Sequence, residues 1–322
     1  MKKKCPHCDS IKTKKYGKAN GIQVYKCNEC EKKFSSERRN QTILQKKLWK
    51  EYVFNKQTLR ELKETYTLDK RTIKQYLNGY TPPTKVHTSR KINLVVDGTY
   101  FGLRGKTDWC LIAFRCPRSK ENVWWKFCNT ETTSAYQEGR EYLENLGYVI
   151  LSVTGDGFGG IRQAFSGIPF QMCHVHMERL VIKGTTKNPQ TEAGQVLLAL
   201  VRTLKETDQK TFQTRLRRYI ETYRDFLNEK TIHPISGESS HTHEGVVDAL
   251  KSIIKFETYL FTYKQNKKIH RTTNSLEGHF SHIKDVLEVH RGLSRECKQR
   301  VLHSILLASS IAPTKEKLKH IL

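Results

Sequence analysis

The chain has 322 residues, 37% of them hydrophobic, and carries 57 lysines and arginines against 32 acids, a formal net charge of +25. This apolar content excludes a disordered tail. With no apolar run near 18 residues and no signal-peptide core, the sequence also argues against a membrane span and predicts a cytoplasmic protein. An excess of positive charge this large fits a polyanion partner, because each neutralised phosphate releases a condensed counterion. Residues 1–90 hold 23 of the basic residues and only 8 acids, so the amino-terminal quarter is the main electrostatic footprint. The nine cysteines are expected to be reduced or metal-bound.

Residues 1–36 contain Cys5-Pro6-His7-Cys8 and Cys27-Asn28-Glu29-Cys30, two C-x-x-C pairs with 18 residues between them. Four thiolates at this spacing can close a tetrahedral Zn²⁺ site, and a small hairpin is expected between the pairs. A module this small has little core, so metal would supply much of its folding energy. Lys12, Lys14, Lys15 and Lys18 lie between the pairs, and Lys14 and Lys15 are candidate phosphate contacts.

Residues 42–79 read as a helix-turn-helix domain. Leu59, Leu62, Leu68, Ile73 and Leu77 form its expected internal face, and Asp69 caps the second helix. Lys70, Arg71, Lys74 and Gln75 then point outward as candidate DNA contacts. The turn lacks the frequent glycine, so a plain helical hairpin stays open. Residues 80–91, with Pro82 and Pro83, read as a linker.

The remainder, 92–322, has a different pattern. Ile92–Val96, Trp109–Cys116 and Asn122–Cys128 predict a three-strand meander. A helix is expected over 131–146, with Thr130 as its N-cap and Gly147 past its end. A strand at Tyr148–Val153, a short helix at Gly160–Phe165 and a strand at Ile168–Cys173 follow. From about 185 to 268 apolar residues fall at helical spacing, among them Phe212, Leu216 and Tyr219, then Val246, Leu250 and Ile253. A last helical pattern runs through Val301-Leu302 and Ile305-Leu306-Leu307.

Two stretches carry the chemistry. Asn93–Asp97 is an apolar run that ends on an acid followed by Gly98, and Tyr148–Asp156 repeats the arrangement before Gly157. One acid beside a glycine is commonly a turn residue. Two acids at strand ends are how α/β sheets present ligands to a divalent metal. The order of three strands, helix, strand, short helix, strand, then helices is that of the RNase H-like fold, in which Asp97 and Asp156 occupy the first-strand and fourth-strand acid positions. The third acid has three candidates, Glu277, Asp285 and Glu288. Glu277 lies in the first turn of a helix that Thr273 or Asn274 can cap, where the dipole alone would also favour it. Asp285 and Glu288 look like solvated helix acids.

Asp97-Gly98, Gly155-Asp156-Gly157, Cys173-His174-Val175-His176 and Asn274-Ser275-Leu276-Glu277-Gly278 together resemble the Mutator-like superfamily of DDE transposases. The cysteine pairs and helix-turn-helix in front resemble the zinc-binding variant of its bacterial insertion-sequence branch. The resemblance covers nearly the whole chain. It implies an α/β fold, an RNase H-like catalytic domain with a helical insertion, preceded by a zinc ribbon and a helix-turn-helix. It further implies Asp97, Asp156 and Glu277 as catalytic residues binding Mg²⁺ or Mn²⁺, double-stranded DNA (terminal inverted repeats and target) as partner, a homo-oligomer, and a nucleoid-associated setting in a bacterium. Cys173 and His176 match the family's C-x-x-H pair and are expected to support the active site rather than bind metal. His241 and His243, the only other candidate pair, read as a solvated turn. Arg271 and His279 are candidates to contact DNA or tune Glu277, with His290 and Arg291 weaker ones. Cys110, Cys116, Cys128 and Cys297 read as core or helix residues. Two rival readings stand beside this one: a DNA-binding regulator whose back domain only dimerises, and an RNase H-like nuclease or resolvase without strand transfer.

Overall fold

The computed structural model describes residues 3–19, 22–103, 108–235, 237–290 and 292–311. Three strands open the chain, β1 (Thr13–Ala19), β2 (Ile22–Cys27) and β3 (Lys33–Ser35). Helices α1 (Ser36–Val53), α2 (Leu59–Tyr66) and α3 (Lys70–Gly79) follow. Next come β4 (Lys91–Phe101), β5 (Trp109–Cys116), β6 (Glu121–Cys128), α4 (Thr133–Asn145), β7 (Val149–Gly155), α5 (Gly159–Ala164), β8 (Phe170–Met172) and α6 (His174–Thr185). A mainly helical stretch holds α7 (Glu192–Arg202), α8 (Gln209–Thr222), α9 (Arg224–Asn228), a hairpin of β9 (Lys230–Ile232) and β10 (Ser239–His241), and α10 (Glu244–Phe256). Helices α11 (Asn274–Val289) and α12 (Arg295–Ile311) end the described chain. No helix among the described residues is long and apolar enough to cross a membrane.

Two compact units result. Among the described residues, the first takes those up to 84 and 283–308, the second residues 85–282 and 309–311. Residues 283–308, expected within a unit spanning 92–322, instead pack with the front of the chain. Trp49, fully buried, donates its indole N–H to Ser304 at 3.0 Å. Tyr52 stacks on His290 at 3.9 Å, and Arg300 donates to the carbonyl of Asn78. In the first unit, β1, β2 and β3 form an antiparallel sheet, one strand more than the hairpin expected. Leu62, Ile73 and Leu77 are buried between α1, α2 and α3, while Leu59 and Leu68 are half-buried. The missing glycine of the α2–α3 turn is explained by Thr67, which takes the left-handed conformation itself at φ 50°. Asp69 caps α3 by accepting from the backbone N–H of Thr72 at 2.9 Å, as expected.

The second unit is built on a five-strand mixed sheet in the order β6-β5-β4-β7-β8. β4, β5 and β6 are antiparallel neighbours, whereas β4, β7 and β8 run parallel. A meander that then continues into parallel strands through crossing helices is consistent with the RNase H-like arrangement. Ile92, Leu94 and Val96 point into one core with Ile112, Phe114, Tyr136 and Val153. The stripes on α8 and α10 (Phe212, Leu216, Tyr219, Val246, Leu250, Ile253) join that core. The α4 cap is Thr132, whose side chain accepts from the N–H of Ala135 at 3.2 Å; Thr130 instead lies against the Tyr100 hydroxyl. Gly147 follows α4 at φ 83°, where a side chain would be strained.

The segment expected to be a linker makes neither helix nor strand before Lys91, yet it is anchored. In the first unit Tyr80 stacks on Trp49 at 4.7 Å. In the second, Lys85 and Arg90 both pair with Glu121.

Candidate active site and cysteine cluster

Asp97 lies inside β4 rather than at its end, because β4 runs on to Phe101 along β5. Its ladder with β7 is shorter and stops at Val95–Thr154. Asp97 and Asp156 thus each stand two residues beyond the last pair of the parallel ladder. Two neighbouring parallel strands deliver their acids to the same end of the sheet, which is where open α/β sheets bind ligands. Asp97 is 6% exposed and its Oδ1 accepts from the N–H of Gly98 at 2.9 Å. Asp156 Oδ1 accepts from the N–H of Phe158 at 2.9 Å, closing the turn that starts α5.

Helix α6, not foreseen as a separate element, carries the next groups. Its N-cap is Cys173, fully buried, whose N–H donates to the carbonyl of Gly155 at 2.8 Å. The segment after the insertion is tied to the same edge. Thr154 Oγ1 donates to the carbonyl of His270, and the N–H of His174 donates to that of Arg271 at 3.0 Å. Thr273, fully buried, donates its N–H to Cys173 Sγ at 3.3 Å. Its hydroxyl lies 3.3 Å from His176 Nδ1 and donates to Glu277 Oε1 at 3.1 Å. These bonds bring Glu277, in the first turn of α11, back across the long insertion. Arg179, which nothing in the sequence pattern marked, donates to Glu277 Oε2 at 2.6 Å.

The ligand atoms fall into two overlapping clusters, each within 4.8 Å: Asp97, Asp156 and His176, and Cys173, His176 and Glu277. His176 belongs to both, and Glu277 stands with Cys173 and Arg179 rather than directly with the two aspartates. Burial, then the charges of Asp156 and Glu277, push the Asp97 carboxyl up to about 7 against the pull of His176. Burial opposes the His176 imidazolium, but Cys173, Asp97 and Asp156 outweigh it and lift that group to about 9. Cys173 is buried too, yet His176 and Thr273 draw its thiol below the ordinary value. Surplus negative charge at a sheet edge, with two hard carboxylate donors, suits a divalent cation such as Mg²⁺ or Mn²⁺.

Glu131 went unmarked in the sequence. It precedes α4, and its carboxylate lies over Gly98, where a Cβ would come within 3.2 Å of it. Asp285 and Glu288 are exposed on α11. Several expectations are corrected. His279 is half-buried and hydrogen-bonds to Asn122 and Ser309, both at 3.1 Å, with burial and then the Arg115 charge pushing it down to about 4. His290 is buried against Tyr52, and Arg291 lies outside the described residues. Arg271 remains exposed. His241 and His243 are not a solvated turn. Nδ1 of His241 is 3.0 Å from the carbonyl of Leu227, and His243 pairs with Glu229 at 2.9 Å while stacking on Phe226 at 3.6 Å.

In the first unit the Sγ atoms of Cys5, Cys8, Cys27 and Cys30 all lie within 4.8 Å of one another. The N–H groups of His7 and Glu29 donate to Cys5 and Cys27 Sγ, each at 3.4 Å. The backbone N–H of Cys30, then that of Glu29, draws the Cys27 thiol down to about 6. Four thiols so arranged, with N–H donors behind them, could hold zinc. Lys14 and Lys15 on β1, and Lys70, Arg71, Lys74 and Gln75 on α3, are exposed.

No protein-family model matches the chain, and no curated protein matches it. Among solved structures the chain is similar to a chain of the Drosophila P element transposase strand transfer complex, at 11% identity and TM-score 0.36, over 85% of this chain and 93% of that one. It is also similar to a chain of the simian T-cell lymphotropic virus intasome in complex with PP2A regulatory subunit B56 gamma, at 12% identity and TM-score 0.23. That match covers 64% of this chain and 65% of the other, less than two thirds of its length.

Proposed function

We propose that the protein is a DNA transposase of the Mutator-like DDE type, in its bacterial insertion-sequence branch. It binds the terminal inverted repeats of its element and catalyses metal-dependent strand cleavage and strand transfer. The observation that carries this reading is the placement of Asp97 and Asp156 side by side, two residues past the β4–β7 ladder, with His176 within 4.8 Å of both. A regulator that only binds DNA has no use for two acids held at that edge.

In this reading Asp97 and Asp156 hold Mg²⁺ or Mn²⁺, with Glu277 as the third acid. The cation, when bound, supplies an activated water and stabilises the leaving oxygen of an in-line displacement. The chain's own residues set the geometry. Arg179 and the Thr273 hydroxyl each fix one oxygen of Glu277. His176, charged at neutral pH without metal, holds a proton on the ring between the two clusters and offsets their charge. The exposed lysines and arginines of α3 and β1 hold the DNA backbone, and the four cysteines hold Zn²⁺. Transposases of this type act as homo-oligomers on double-stranded DNA, and the same is proposed here.

Asp97→Asn keeps the shape of the side chain and removes its charge. With duplexes carrying the inverted repeats that bracket the coding region, this variant is expected to bind ends like the wild type and to lose cleavage. Normal cleavage by Asp97→Asn sinks the assignment. Wild-type cleavage without transfer of the 3′ end into a target plasmid would instead identify a nuclease or resolvase.

A further inference from the structure

Glu131 is a half-buried carboxylate that the proposed chemistry does not yet use. Three features place it. An ideal Cβ on Gly98 would come 3.2 Å from its Cδ and Oε1 and 3.3 Å from its Oε2, so the carboxylate covers the bare face of the residue next to Asp97. The hydroxyl of Tyr136, a fully buried side chain, donates to Oε1. The N–H of Glu131 donates to the Tyr100 hydroxyl at 3.2 Å, which ties the β6–α4 corner to the far end of β4. Tyr136 therefore fixes one carboxylate oxygen while Tyr100 holds the backbone; burial raises the carboxyl above its ordinary value, with Tyr136 and His176 opposing and Asp156 adding to the rise.

We propose that Glu131 is a fourth acid of the cation site, positioned by Tyr136 and Gly98, and that it supports a divalent cation held by Asp97 and Asp156. It stands outside the cluster of Asp97, Asp156 and His176, whose ligand atoms lie within 4.8 Å, so it acts from one layer further out. Carboxylates in that layer orient ligands and bound water, and their loss typically costs about 10–100-fold in metal affinity. A methyl group at position 98 would move the carboxylate by a few tenths of an ångström. The inference rests on the metal-dependent reading of Asp97 and Asp156.

The test is Mn²⁺ titration of the full chain, supplied with zinc, by isothermal calorimetry, with thermal unfolding of each variant as a fold control. Glu131→Gln is expected to weaken Mn²⁺ binding about tenfold or more at an unchanged melting temperature. Gly98→Ala keeps every charge and shifts the carboxylate only slightly, and is expected to weaken binding less than Glu131→Gln does. Glu131→Asp, which keeps the charge on a shorter arm, is expected to recover part of the affinity lost in Glu131→Gln. A corner with a merely structural role would shift melting and leave Mn²⁺ affinity alone. Glu131→Gln binding Mn²⁺ within twofold of wild type, while Asp97→Asn binds none, overturns the proposal and leaves the site reading intact. Wild-type affinity in Asp97→Asn, or no Mn²⁺ uptake by the wild type, overturns both.

Discussion

Asp97→Asn should stabilise the metal-free protein at the pH where it destroys function. The folded carboxyl titrates near 7 instead of its ordinary 3.8, because it is buried beside Asp156 and within reach of Glu277. Below pH 3.8 the group is protonated in folded and unfolded chains alike and contributes nothing. Above that the unfolded chain releases its proton first, so stability falls as pH rises, until the folded carboxyl ionises near pH 7. At 1.36 kcal/mol per pH unit, the interval corresponds to roughly 4 kcal/mol, an upper bound once neighbours and water relax. In EDTA at pH 8, Asp97→Asn is therefore expected to exceed wild type by roughly 2–4 kcal/mol, and the two should converge toward pH 4. Urea denaturation at a series of pH values measures this. Adding Mn²⁺ should raise wild-type stability by far more than that of the variant, because the variant lacks one of the two aspartates that hold the cation. Equal stability of the two proteins at pH 8, with parallel pH profiles, would refute the reasoning that surplus negative charge is stored at this edge.

Three further outcomes are expected. Glu121 is half-buried, but Lys85 and Arg90 hold its carboxyl below the ordinary 4.5, so its pairing contributes fully above that pH and is lost as pH falls through the folded value. Glu121→Gln strands the nearly buried Lys85 and should cost about 3 kcal/mol at pH 7, with a flatter acid slope below pH 4.5 in the same urea series. Cys27→Ser should release zinc, read by metal analysis of the purified protein, and unfold the β1–β3 sheet, read by proteolysis within residues 3–35; zinc retained at the wild-type ratio would contradict the four-cysteine site. Replacing Lys70, Arg71 and Lys74 by Ala should reduce the slope of log affinity against log salt by about 0.9 for each lost phosphate contact, measured by fluorescence anisotropy on end DNA.

The features legible in the amino-acid order are those whose physics is local. The C-x-x-C spacing marked the cysteine cluster, because four thiols at short range need only a tight sheet to converge. The α3 cap was legible in Asp69, and the core faces of α8 and α10 in their helical spacing, since these depend on neighbours three or four residues apart. Asp97 and Asp156 stood out because each follows an apolar strand, although where β4 ends was misjudged: its partner β5 sustains it for four residues beyond the acid. How the site closes depends on contacts between distant segments. Cys173, Thr273 and His176 meet through a 3.3 Å contact chain that spans 100 residues of sequence, and no local pattern encodes that distance. Arg179 and Glu131 were invisible for the same reason, being ordinary charged residues on a helix and a corner until folding set one against Glu277 and the other over Gly98. His279, His290, His241 and His243 were misread in the opposite direction: each looked available in the sequence, and each is engaged by a partner far along the chain or across a turn. Residue type and spacing fix which chemistry is possible, whereas burial and long-range hydrogen bonds fix which side chains remain free to perform it.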